Sequence, residues 1–293
     1  MKIGIYAKSI SSNFIAKLNE LFNSLHFINA EIWLHPQFKN AVSEYYSLVS
    51  FSNTSIINGD EIPQNLDFLI TIGGDGTFLE ALSAIKLKSI PLLGINTGRL
   101  GFLADISPNE IHSTLISISK NEYKIERRAI LQAILQPSLD IEFPYAINDL
   151  TVHKRDTSSM IVIHVYIDDV FLANYWADGL IIATPSGSTA YSMSVGGPIV
   201  SPDSKNLIIT PIASHNLTVR PLVIPDNKNI SLKIESRDSK FLLSLDSRSY
   251  AIEKTLEVQV KLAQIQISLI KLNNHSYYST LRNKLMWGVD KRN

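Results

Sequence analysis

At 293 residues the chain exceeds what one hydrophobic core usually serves, so two domains are expected. Hydrophobic residues make up 45% of it and charged residues 18%, a balance that excludes a disordered chain. Lys plus Arg equal Asp plus Glu at 27 each, so no net charge draws nucleic acid or a membrane surface, and the lack of cysteine excludes disulfides, zinc–thiolate sites and thiol nucleophiles.

The chain opens on a short apolar stretch that reaches only to Lys8, too little for a signal peptide, and no apolar run approaches the length of a membrane span. The cytoplasm is the expected compartment. Ile3–Tyr6, Glu31–Leu34, Phe68–Ile72 and Leu92–Ile95 read as strands buried on both faces. Phe14, Leu18, Leu21 and Leu25 recur at helical spacing between the first two, and Phe78, Leu82 and Ile85 do so after the third. Such alternation predicts a doubly wound parallel-sheet α/β domain over residues 1–123. Ser107-Pro108-Asn109-Glu110 carries a capping box that opens a helix with Ile111, Leu115 and Ile118 on its buried stripe. Arg127-Arg128, at the expected boundary, reads as a solvated pair.

From residue 124 the period changes. Ile161, Ile163, Val165 and Ile167 alternate with other residues, as do Leu232 with Ile234 and Ile265, Ile267 with Leu269. Period-two patterning predicts an antiparallel, β-sandwich-like domain over 124–275, with Asp168-Asp169 as a hairpin tip. Thr280 to Met286 reads as a short helix in a final segment, 276–293. The cleft between two such domains is the default binding site.

The strongest local signal is Thr71-Ile72-Gly73-Gly74-Asp75-Gly76-Thr77, where a buried strand gives way to a helix. Glycines let the backbone approach a ligand, and Thr77 with Glu80 has capping-box spacing. Open α/β sheets hold nucleotide phosphates at such junctions. Asp75 is out of place in a pure phosphate cradle. At an effective dielectric of about 20, a carboxylate about 4 Å from a phosphate charge costs roughly 4 kcal/mol. Its presence points to work on a hydroxyl, on a metal ion bridging phosphates, or on both; an ordinary Asp in a glycine turn is the plainer reading. A second cluster, Gly94 to Phe102, follows the next strand. Its Arg99 stands where it can reach a phosphate; a solvated loop arginine is the other reading. Asn148-Asp149 offers an amide and a carboxylate, or an Asx turn. Thr184-Pro185-Ser186-Gly187-Ser188-Thr189-Ala190-Tyr191 ends a strand in a turn dense in hydroxyls, where Ser188 or Thr189 can cap a short helix and Tyr191 offers a flat face to a base or ribose. The seven histidines show no ligand spacing, and no all-protein metal site is expected.

Together, Gly73-Gly74-Asp75-Gly76, Asn96-Thr97-Gly98 to Phe102, Asn148-Asp149, and Asp178-Gly179 through Thr-Pro-Ser-Gly-Ser-Thr-Ala-Tyr resemble the NAD kinase family over nearly the whole chain. The resemblance implies transfer of a phosphoryl group from ATP, or another donor, to the 2′-hydroxyl of the adenosine ribose of NAD, giving NADP. It implies Asp75 as catalytic base, with Gly76 beside it. It places Asn148, Asp149, Asp178, Thr189, Ala190, Tyr191, Ser192, Met193 and Ser194 at the NAD site. Gly73, Gly74, Thr77 and Arg99 go to the donor loop, and Phe102, Ser186 and Arg248 to the rim of the NAD pocket. A divalent cation, Mg²⁺ first, would come with the nucleotide phosphates, and the chain would form a homo-oligomer, often a tetramer, whose C-terminal segment returns to the first domain. Trp176, Ser159 and Asp246-Ser247-Arg248 depart from the family pattern. The glycine loop alone also fits a diacylglycerol-type lipid kinase, and a catalytically silent dinucleotide sensor would keep the same fold.

Overall fold

The computed structural model describes residues 1–43, 54–57, 62–63, 65–86, 88–98, 101–155 and 160–288. They form two compact units, Met1–Arg127 with Ile267–Asn293 and Arg128–Gln266. The first unit begins with β1 (Lys2–Tyr6), α1 (Ser12–Phe27), β2 (Glu31–Leu34), α2 (Pro36–Ala41), β3 (Thr54–Ile56), β4 (Phe68–Gly73), α3 (Asp75–Ala84), β5 (Leu92–Asn96), α4 (Ile111–Ser119) and β6 (Tyr123–Arg128). Helical spacing puts Phe14, Leu18, Leu21 and Leu25 on the face of α1 that packs on the sheet, and all are buried. The capping box forms: the Ser107 hydroxyl accepts from backbone at the start of the turn, and Glu110 accepts the Ser107 N–H at 3.0 Å.

The second unit continues with β7 (Leu131–Gln136), β8 (Tyr145–Ala146), β9 (Asp149–His153), β10 (Ile161–Ile167), β11 (Val170–Ala177), β12 (Gly179–Ala183), α5 (Tyr191–Ser194), β13 (Asn206–Ile212), β14 (Leu222–Pro225), β15 (Ile230–Glu235), β16 (Lys240–Leu245), β17 (Arg248–Glu253) and β18 (Glu257–Leu262). Two six-stranded sheets result, in the orders β11-β10-β15-β18-β7-β8 and β14-β13-β12-β9-β16-β17. Alternation sends Ile161, Ile163 and Val165 of one sheet and Leu180, Ile182, Leu207 and Ile209 of the other into a shared core. Asp168 and Asp169 turn the β10–β11 hairpin with φ of 47° and 64°, the left-handed conformation a tight hairpin turn demands. On the outer face of the second sheet, Ile181, Ala183, Ile208 and Ile212 are covered by Val195 and Val200, so the segment after β12 lies folded onto the sheet.

The chain then returns to the first unit as β19 (Ile267–Leu272) and α6 (Tyr277–Leu285). Among the described residues the first sheet has the order β3-β2-β1-β4-β5-β19-β6, and β19 runs parallel to β5. Three expectations are corrected here. The return begins at Ile267, not at 276, and Ile267 and Leu269 join the parallel sheet instead of the β-sandwich. β6 belongs with the first sheet, which moves the boundary from 124 to beyond Arg127. Period-two patterning marks a strand but not its partner. Arg128, expected in solvent, is 4% exposed and donates to the Ser186 hydroxyl.

Candidate active site

In the first unit the glycine turn places Asp75 at the first position of α3, where its charge suits the helix N-terminus. Gly73 has φ of +153°, and a Cβ there would lie 2.3 Å from the Thr77 hydroxyl, so glycine lets Thr77 pack on the turn. The expected Thr77–Glu80 capping box is absent. The helix starts three residues earlier, capped by Gly74 without a side-chain bond, and Glu80 instead meets Lys8 at 2.7 Å. At Gly74 and Gly76 an added Cβ would meet nothing within 4 Å, so packing within the chain does not require glycine there. Absence of a side chain at such positions opens the loop to a ligand.

Asp75 is fixed by the second glycine cluster. Its Oδ1 accepts the backbone N–H groups of Leu103 at 3.1 Å and Ala104 at 3.0 Å, and its Oδ2 accepts that of Phe102 at 3.0 Å. Gly101 must be glycine, because a Cβ would sit 2.1 Å from Oδ1. Buried Asn96 ties the same loop from the other side, accepting from Gly98 N–H at 2.8 Å and donating to the Ala104 carbonyl at 3.2 Å. Lys284 of α6 stands 3.5 Å from Oδ2 with its ammonium 4.4 Å from the centre of the Phe102 ring. Each carboxylate oxygen takes about two hydrogen bonds. Oδ1 is therefore filled, while the second position of Oδ2 has only the long 3.5 Å contact of Lys284. Arg99 lies outside the described residues.

In the second unit, Asn148, Asp149 and the 184–194 segment come together. Thr184 N–H donates to the Asn148 carbonyl at 2.9 Å, and Gly187 packs so closely that a Cβ would lie 1.9 Å from that oxygen. Asp149 is 5% exposed, and its carboxylate accepts from the Thr151 hydroxyl at 3.2 Å and from the Tyr191 N–H. Burial, and then the nearby Asp246 carboxylate, push its pKa up to about 7. Asp246 holds this bend by accepting the N–H groups of Ile147, Asn148 and Asp149 at 3.0, 2.8 and 3.3 Å. Burial raises its pKa too, against those bonds. Tyr191 is 43% exposed and does offer its ring face. Thr189, Ala190 and Met193 are half-buried and Ser194 is exposed.

Other expected site residues are placed differently. Ser192 is fully buried and bonded to Thr210 at 2.9 Å, so its hydroxyl pins the segment to β13. Neither Ser188 nor Thr189 caps α5. Ser188 accepts from the Val200 N–H at 3.0 Å, and Thr189 donates back to the Ser186 carbonyl at 3.3 Å. The Arg248 guanidinium is spent on the carbonyls of Phe143 and Tyr145 and lies 4.7 Å from the Phe143 ring centre. Asp178 is not part of the Asp149 cluster. In the β9–β12 register Ala183 faces Asp149, while Gly179 faces His153 at the far end, about 15 Å along the strands. Asp178 pairs instead with Lys154 at 2.7 Å in a cavity of about 730 Å³ that Trp176, His215 and Arg237 also line. Among the described residues no group of three or more His, Asp or Glu is arranged to hold a metal ion. No helix among them is long and apolar enough to cross a membrane.

Comparison with known proteins decides what this arrangement belongs to. Residues 30–123 match the model of the ATP-NAD kinase N-terminal domain, and residues 147–272 match that of the ATP-NAD kinase C-terminal domain. The chain belongs to the NAD kinase family. It is similar to an NAD kinase of Bacteroides fragilis, 43% identical over 292 residues and 100% of both chains. An NAD kinase of Cytophaga hutchinsonii is 48% identical over 227 residues, 78% of each. Among solved structures, yeast NADH kinase complexed with NADH superposes with a TM-score of 0.87 at 24% identity, over 99% of this chain and 88% of that one. An NAD kinase from Archaeoglobus fulgidus in complex with ATP gives 0.75 at 24%, over 98% and 99%. These two likenesses establish the shared fold.

For this NAD kinase family member, sequence reasoning missed four residues that build the site's frame. Asn96 and Asp246 brace the two loops, Lys154 pairs Asp178, and Lys284 reaches Asp75. Asn96 opens the second glycine cluster and Asp246 sits in a stretch that departs from the family pattern, so each had a local signal. Lys154 and Lys284 had none.

Proposed function

We propose that the chain transfers a phosphoryl group from ATP, or another phosphoryl donor, to the 2′-hydroxyl of the adenosine ribose of NAD, giving NADP, with Asp75 as general base. That it is a kinase acting on NAD rests on the match of both domains and on the relatives, which favour neither a lipid kinase nor a silent sensor. The observation that carries the assignment of Asp75 is its carboxylate, held by three backbone N–H groups beside glycines open to a ligand, with only the long contact of Lys284 at the second position of Oδ2. That position takes the hydroxyl proton as the new phosphorus–oxygen bond forms. Asn148, Asp149 and the 189–194 segment serve the acceptor, with Tyr191 as the exposed flat face. Gly73, Gly74 and the α3 N-terminus serve the donor's phosphates, with Gly76 beside Asp75 at the NAD site. Since Oδ1 is filled and, among the described residues, no group of three or more His, Asp or Glu is arranged to hold a metal ion, a divalent cation would be held chiefly by phosphate oxygens and water. When bound, it neutralises charge on the transferring group.

A homo-oligomer, most simply a tetramer, is also proposed. Leu217 is 88% exposed, and Val223 on edge strand β14 is 45% exposed. Apolar residues on open sheet edges are suited to a second copy.

The deciding experiment is Asp75→Asn, with kcat and calorimetric NAD affinity measured together. A base contributes about 10²–10⁴-fold, roughly 3–5 kcal/mol in barrier. The expected result is a fall in kcat of that size with NAD still bound. A kcat within a few-fold of wild type sinks the base role, and loss of NAD binding makes Asp75 a binding residue instead.

A further inference from the structure

Lys284 is bound loosely where other lysines are bound tightly. Lys8, Lys154 and Lys271 each meet a carboxylate at 2.7 Å, but Lys284 stops 3.5 Å from Asp75 Oδ2, which already accepts the Phe102 N–H. A charge-assisted bond of full strength is shorter than that. What holds the ammonium is the Phe102 ring beneath it. Its side chain is 30% exposed, and an ammonium has three donors to give.

The helix that carries it is itself fixed. Ser276 caps α6 by accepting the Ser279 N–H at 3.1 Å. The preceding residue, His275, lies 3.7 Å from Asp105 and 3.4 Å from Glu110, and Asp105 is bonded to Lys271. Tyr277 lies one face of α6 along from Lys284, seven residues earlier, and its ring is 6.1 Å from that of Phe102. Two turns of a pinned helix thus lay Tyr277 and Lys284 across Phe102, beside the catalytic loop.

We propose that Lys284 is a donor-site residue: its ammonium binds the transferring phosphoryl group and offsets the repulsion between that group and Asp75. A polyanion brought beside a carboxylate needs positive charge at that point, and the chain supplies one from its C-terminal helix, held close but left with donors free. This rests on the reading that the donor's phosphates lie at the Asp75 loop.

Lys284→Met keeps the stem over Phe102 and removes the charge; Lys284→Arg restores the charge. Affinity for ATP with Mg²⁺, and separately for NAD, is measured by calorimetry, alongside both Michaelis constants. The expected result for Lys284→Met is ATP binding weakened about fivefold, the upper range for a part-exposed charge pair, with NAD binding within twofold and Arg recovering most of the loss. ATP affinity within twofold of wild type overturns the proposal, as does equal weakening of ATP and NAD. The binding arms need no turnover, so they decide the role of Lys284 even if Asp75→Asn shows that Asp75 is not the base.

Discussion

Asp149→Asn should make the protein more stable, by an amount that grows from about pH 4 and is complete a little above pH 7. The wild-type carboxyl moves from an ordinary value of 3.8 to about 7 in the folded chain, because it is buried and faces Asp246. Below about pH 4 it is protonated in both states and contributes no difference. As pH rises from about 4 to 7 the unfolded chain gives up this proton and the folded chain keeps it. The folded state then binds more protons, so stability falls with rising pH across that window and levels off above it. A shift from 3.8 to about 7 corresponds to roughly 4 kcal/mol once the group is ionised in both states. Asn keeps an acceptor for Thr151 and Tyr191 and carries no charge at any pH. The difference in Tm between variant and wild type should be near zero at pH 4 and grow to about 10 °C by pH 8. Scanning calorimetry across that range, in matched buffers, cancels the groups remote from Asp149; Asp246 faces it, so the difference reports the titration of the pair. Parallel Tm curves from pH 4 to 8 would show that the folded carboxyl ionises normally and that the burial argument fails.

Glycine substitutions should separate packing from ligand approach. Gly101→Ala puts a Cβ 2.1 Å from Asp75 Oδ1 and 2.6 Å from the Ala104 carbonyl, so kcat should fall by about tenfold or more through misplacement of the carboxylate. Gly74→Ala meets open space, so unfolding should change by no more than about 0.5 kcal/mol while ATP affinity drops; unaltered ATP binding would move the donor away from this loop. Light scattering at micromolar concentration should show an oligomer, and a monomer there would leave Leu217 and the β14 edge without the proposed partner.

Much of this was legible in the sequence because it is local. Buried runs place β1, β2, β4 and β5 within a residue or so, and helical spacing places α1 and α4. The glycine turn marks Asp75, since a carboxylate is conspicuous where phosphate is expected. What the sequence hides is contact between distant segments. The three N–H groups that fix Asp75 lie 27 to 29 residues downstream, and Lys284 lies 209 away. The Asp246 carboxylate that bends Asn148-Asp149 comes from a turn 98 residues on. Ser192 reads as one more hydroxyl for a ligand until burial beside Thr210 shows it bonded inward. Likewise Ile267 to Leu272 alternates well enough to pass as antiparallel, since nothing local reveals that its neighbour is β5.

The position of β19 has a consequence for how the protein is made. It lies between β5 and β6 in the first sheet, although in sequence the whole second unit separates it from both. A growing chain that has reached β6 holds two strands with a gap between them that nothing yet synthesised can fill. The first unit therefore waits, with the β5 edge bridged by Ile106 at Ile95 but unpaired at Leu92, until residues 267–272 emerge. The second unit, continuous from Arg128 to Gln266, has no such delay and can complete itself on the ribosome. The order of maturation is thus the reverse of the order of synthesis, and the Asp75 loop gains its Lys284 only after β19 has been made.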